Sequence, residues 1–73
     1  MSINRLEGTV KWFSNERGYG FVTPDEDPTK EYFVHFSSIK MGGFKTLQVN
    51  QKVTFELRET PKGVQAVEVE LYK

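Results

Sequence analysis

VKWFSNERGYGFV, residues 10–22, places Trp12, Phe13, Tyr19 and Phe21 in one short stretch, with Lys11 and Arg17 between them. Folded chains usually bury such rings and expose such charges. Within it GYGFV (18–22) alternates small with large residues, which reads as a strand with Tyr19 and Phe21 on one side. Its glycines have no side chain to fill an interior, so parity alone leaves both orientations open. Val22 shares the glycine side and favours it as the inward one. Glycine beneath a curved sheet also permits tight coiling or close packing. The expectation is that Tyr19 and Phe21 face outward; the competing reading is ordinary core packing.

EYFVHF (31–36) poses the same question with a sharper answer. Phe33 and His35 share one side, and Tyr32, Val34 and Phe36 the other. An inward Phe33 would carry His35 into the core, where a polar ring needs a partner. An inward Val34 needs none, so Phe33 and His35 are expected to face solvent. If this strand pairs with 18–22, the rings form one exposed patch, which soluble monomers rarely keep without a binding purpose. Parity turns Phe36 inward. It also sets Trp12 inside with Val10, and Lys11 and Phe13 outside. A bulge or strong twist at the strand end would turn Trp12 outward, and the residues leave this open.

LEGTVKWF (6–13), KVTFELRE (52–59) and VQAVEVELY (64–72) bring the strands to five. NERG (15–18) and TPKG (60–63) read as turns and DEDP (25–28) as a loop. The longest connection, 37–51, has room for a helical turn at 37–39, and Asn50 suits a left-handed conformation. Val53, Phe55 and Leu57 share a parity that reads as core, and Tyr72 reads as a terminal packing residue. Five short strands with little helix close on themselves to hide their edges, which predicts a small barrel. The chain is expected to be one domain over 1–73, with the barrel at about 5–72.

Composition narrows the function. Ten basic and ten acidic residues give no net charge, which argues against a binder held by a general positive field. The acids Asp25, Glu26, Asp27 and Glu31 gather around one loop, while Lys11 and Arg17 lie among the rings. With no cysteine and one histidine, there is no basis for disulfides, a metal cluster or a nucleophile–base pair. No enzyme, cofactor or metal is expected. No apolar run approaches the roughly 20 residues that cross a bilayer, and MSINRLEG lacks the apolar centre of a secretory signal. A soluble, cytoplasmic monomer is the expectation.

Flat rings on a sheet flanked by cations suit single-stranded nucleic acid, whose bases stack while Lys and Arg meet phosphates. RGYGFV (17–22) fits the opening of the RNP1 pattern, failing only at Pro24. An RRM needs two helices, which are absent from the pattern here, and its two motifs run in the opposite order. A barrel displaying similar strands fits better. The rival from another class is an SH3-like module that takes a basic, Pro-rich peptide against the acidic DEDPTKE loop.

GTVKWFSNERGYGFV, YFVHFSSI and GFKTL, followed by QKVTFELRETPKGVQAVEV, together resemble the cold-shock protein family of single-domain bacterial type over about residues 6–69. The resemblance implies an all-β, five-stranded antiparallel OB-fold barrel that binds single-stranded RNA and DNA, preferring pyrimidine-rich strands. It further implies no enzymatic activity, and a binder that prefers single strands to duplex is expected to act as an RNA chaperone. Carried over by motif, the binding positions are Lys11, Trp12, Phe13, Arg17, Tyr19, Phe21, Phe33, His35, Phe36 and Phe44, with Lys62 where the family often has a basic residue. This sets Trp12 and Phe36 at the surface, against simple parity. Ser14-Asn15, Tyr19 in place of a common Phe, and the TPDEDPTKE loop depart from the family pattern; MSINR and ELYK have no assigned role.

Overall fold

The computed structural model describes residues 5–40 and 47–72. Five strands, β1 (Leu6–Ser14), β2 (Tyr19–Pro24), β3 (Tyr32–His35), β4 (Lys52–Thr60) and β5 (Gly63–Leu71), close into a barrel in the order β1-β2-β3-β5-β4. Neighbours run antiparallel except β3 and β5, which meet in parallel at Phe33 and Gln65. This is the all-β OB-fold barrel expected from the sequence.

Inward-facing strand residues make most of the core, joined by Ile39 and Leu47 from the connections. Val10, Val22, Val34, Val53, Phe55 and Val69 have no exposed surface, and Ile39, Leu47 and Ala66 have almost none. Each of these Val, Leu, Ile and Phe side chains contributes about 1.5–3 kcal/mol by leaving water, and Ala66 less. Asn50 takes the left-handed conformation, with φ of 71°. The helical turn spans Phe36–Ser38, one residue earlier than expected.

Leu57 departs from its sequence reading. It shares the parity of Val53 and Phe55, yet is 38% exposed. It lies two residues past Phe55, which pairs with Leu6 at the start of β1, so β1 no longer lies beside it although β5 still does. With Leu6 and Tyr32 it lines an open hollow of about 460 Å³ instead. Tyr72 is also exposed rather than packed, with the Lys52 ammonium 5.8 Å from its ring centre.

Arg5, from the segment with no assigned role, closes one side of the barrel. Its guanidinium donates to the Thr54 carbonyl at 3.1 Å, Thr54 Oγ1 at 3.0 Å, the Glu68 carbonyl at 2.6 Å and Glu56 Oε2 at 3.2 Å. Between Thr54 and Glu56 the ladder slips, because β5 spends three steps, Glu70 to Val67, against two on β4. Glu68 takes up that bulge with φ of 53°, a strained conformation for a residue with a side chain. A planar fork with several donors suits this spot, where an ammonium would reach fewer acceptors. Arg5→Met is expected to cost about 1–3 kcal/mol, discounted for partial exposure. Urea unfolding checks this, and a midpoint equal to that of the parent would show that the bulge holds itself.

Candidate nucleic-acid interface

The pairing register determines which rings meet. Val10 of β1 lies opposite Val22, but Trp12 lies opposite Phe21, so Lys11 is the extra residue of a β-bulge. Past the bulge the parity of β1 reverses. Trp12 joins the outer face with Phe21, and Phe13, opposite Gly20, turns to the interior. The β2–β3 register then sets Phe21 opposite Phe33 and Tyr19 opposite His35. Two rows result on the outer face: Trp12, Phe21 and Phe33 across three strands, and Tyr19 with His35 beside them.

Four of these rings close a circuit. Centroid distances are 5.8 Å from Trp12 to Tyr19, 5.4 Å from Tyr19 to Phe33, 5.9 Å from Phe33 to Phe21 and 5.4 Å from Phe21 to Trp12. The interplanar angles run from 30° to 81°, so the rings brace one another edge to face or tilted rather than stacking flat. All four are half-buried: held at their edges, with part of each ring open to solvent. None belongs to the core cluster.

Phe13 corrects the parity reading. The bulge turns it away from the other rings, and it packs against the core above Gly20. Phe36 corrects it in the opposite sense. The chain leaves β3 at His35, and Phe36, on the 3-10 turn, is 45% exposed with its ring 4.6 Å from that of His35. The Phe36 ring also lies over Gly18, whose φ of 79° lets the 15–18 turn close beneath it. That turn is fastened by the Gly18 N–H donating to the Ser14 carbonyl at 2.8 Å and the Arg17 N–H to Ser14 Oγ at 3.2 Å. The unusual Ser14 therefore supplies the local contacts itself. Phe44 lies outside the described residues.

The cations differ in their freedom. Arg17 is exposed, with its guanidinium 3.4 Å from the Tyr19 hydroxyl, a hydrogen bond that pushes its pKa up. Lys11 is paired with the Glu31 carboxylate, which sits just before Phe33's strand. Lys62 is exposed on the β4–β5 turn, its backbone N–H donating to Thr60 Oγ1 at 3.1 Å. Other acids of the 25–31 loop are engaged too: Asp25 with Lys52 and Asp27 with Lys30. Among the described residues, no group of three or more His, Cys, Asp or Glu side chains is placed to share a metal ion, and no helix is long and apolar enough to cross a membrane.

Residues 6–72 match the "Cold-shock" DNA-binding domain. The chain belongs to this family. Its relatives include the major cold shock protein of Micrococcus luteus, 56% identical over 62 residues, which spans 85% of this chain and 91% of that one. The cold shock-like protein CspI of Escherichia coli K12 is 52% identical over 66 residues, spanning 90% and 93%. Among solved structures, Drosophila Unr CSD456 superposes with a TM-score of 0.80 at 21% identity, over 99% of this chain and 28% of that one, a likeness of fold alone. Membership in a cold-shock family implies nucleic-acid binding, in a family of binding proteins rather than enzymes.

Two residues of this cold-shock domain gain a role only from the structure. Glu31 reads in the sequence as part of an acidic loop, and nothing over the 20 positions separating it from Lys11 signals their pairing. Ser37 reads only as part of a helical turn, although its contacts to His35 bear on the site. The spacing of two residues is visible in the sequence; the capping geometry is not.

Proposed function

We propose that this protein binds single-stranded RNA and DNA by stacking unpaired bases on the outer face of β1, β2 and β3, and acts as an RNA chaperone. The closed circuit of Trp12, Tyr19, Phe33 and Phe21 carries the reading. Rings braced at their edges lose little further freedom when a base lands on them. His35 and Phe36 extend the surface, Arg17 and Lys62 serve as phosphate partners, and Lys11 joins them once it leaves Glu31. Phe13 supports the surface from below, and Phe44 completes the proposed set. A protein that holds single strands better than duplex shifts RNA toward open forms without ATP. Pyrimidine-rich strands, a monomeric state and the cytoplasm complete the proposal. The alternative of a basic peptide ligand would have to displace the lysines paired with Asp25, Asp27 and Glu31.

Heptathymidine is expected to quench Trp12 fluorescence, while a Pro-rich basic peptide does not. With two or three phosphates neutralised, raising salt fourfold should weaken binding about sevenfold to twentyfold, a shallow dependence that follows when stacking supplies most of the affinity. Absence of quenching by the oligonucleotide would overturn the stacking reading.

A further inference from the structure

We infer that Ser37 fixes the neutral His35 ring in one tautomer, with its proton on Nε2, making His35 a hydrogen-bond donor toward a strand lying on β1–β3. The inference deepens the stacking reading and rests on it for the ligand. His35 ends β3, opposite Tyr19, at the rim of the ring circuit. Its Nδ1 lies 3.2 Å from the Ser37 backbone N–H, the cap of the 3-10 turn, and 2.8 Å from Ser37 Oγ. A backbone N–H can only donate, so Nδ1 presents its lone pair there, and the Ser37 hydroxyl also donates to it. A neutral imidazole carries its single proton on one nitrogen, and the bond made by the other decides which. The proton therefore sits on Nε2.

Nε2 is the free end of the ring: among the described residues nothing hydrogen-bonds to it. The ring plane is held from one side by Phe36, 4.6 Å away at 47°. A stacking ring with a fixed tautomer does two things at once. Its face accepts a base, and its edge offers a single N–H, so the group it meets must be an acceptor: a phosphate oxygen or a base carbonyl oxygen. A ring free to exchange tautomers would present a lone pair for part of the time and gain less. Ser37 is thus a positioning residue, acting on the ligand through His35.

Chemical synthesis gives access to the test, since the chain has 73 residues. Replacing His35 by Nε2-methylhistidine keeps the ring face and the Nδ1 acceptor but removes the donor. Heptathymidine affinity is expected to fall about threefold to tenfold, with the melting temperature unchanged. Long-range proton–nitrogen spectra of the unmodified free protein at pH 8 should show the Nε2–H tautomer. Ser37→Ala removes the hydroxyl but keeps the backbone N–H, so the Nε2–H form should still dominate with a smaller excess, and Ser37→Thr should restore that excess. Heptathymidine with methylphosphonate linkages identifies the acceptor: the methylation penalty shrinks there if His35 meets phosphate and persists if it meets a base carbonyl. An Nδ1–H tautomer in the free protein, or full affinity of the methylated chain, would overturn the inference. Failure of the unmodified protein to bind heptathymidine would sink the stacking reading instead, and the tautomer spectrum tells the two failures apart.

Discussion

Replacing Phe33 with alanine is expected to weaken heptathymidine binding by about 5-fold to 150-fold, corresponding to the 1–3 kcal/mol typical of one lost base–aromatic stack. Phe33 ends the row of Trp12, Phe21 and Phe33, between Phe21 on the neighbouring strand and Gln65 across the barrel seam. It touches two rings of the circuit, at 5.4 Å and 5.9 Å. Its removal thus takes away one stacking platform and loosens two others. The stability cost is smaller than for a core phenylalanine, because Phe33 lies outside the core cluster while Val34 beside it keeps β3 anchored. Two ring contacts at about 0.5–1.5 kcal/mol each add to the transfer cost of the part of the ring that is out of water, and the open part of the ring contributes nothing to it. In a domain of this size about 1 kcal/mol moves the melting temperature by roughly 4–8 °C. Calorimetric titration and thermal melting on one sample separate the two effects. A collapse in melting temperature with unchanged affinity would return Phe33 to a purely structural role.

Much of this geometry is legible in the sequence because it depends on local alternation and on one unfavourable burial. The cost of burying His35 orients β3 correctly, and the register then carries Phe33 to Phe21 and Tyr19. The side of Gly20 and Val22 reads as inward, and both are buried. What alternation does not encode is its own interruption. The bulge at Lys11 is set by how β1 pairs with β2, and no residue nearby announces it. Parity therefore leaves Trp12 undecided and misplaces Phe13 through the same slip of one residue. The second bulge falls on Glu68, a residue type with no preference for positive φ, so nothing marks it either. Its partner Arg5 is 63 positions away in the chain and becomes intelligible only once β4 and β5 are side by side. Leu57 shows the remaining gap: parity gives a direction but not the height at which β1 ceases to lie beside β4.

Gly20→Ala is expected to destabilise the fold by about 3 kcal/mol or more, although the new side chain is a single methyl. Gly20 faces the interior, opposite Phe13 on β1 and Val34 on β3. A Cβ there would lie 2.6 Å from the Phe13 Cα and overlap the Trp12 carbonyl oxygen, both main-chain atoms. A crowded side chain can change rotamer, but a crowded backbone must move β1 as a whole. Overpacking a core ordinarily costs about 1–3 kcal/mol, and a clash with backbone lies at or above the upper end. Alanine also lowers the entropy of the unfolded chain, a gain of about 0.4–1 kcal/mol that is too small to compensate. A chain of this length has only about 4–11 kcal/mol in total. The strand that must retreat carries the Lys11 bulge and Trp12, so affinity should fall together with stability, whereas Phe33→Ala lowers affinity and largely spares the fold. Urea unfolding of both variants, with heptathymidine titration under conditions where each remains folded, gives the contrast. If Gly20→Ala unfolds within about 0.5 kcal/mol of the parent, β1 and β2 approach less closely than the Gly20–Phe13 pairing requires. The bulge that turns Trp12 outward would then lose the packing constraint beneath it.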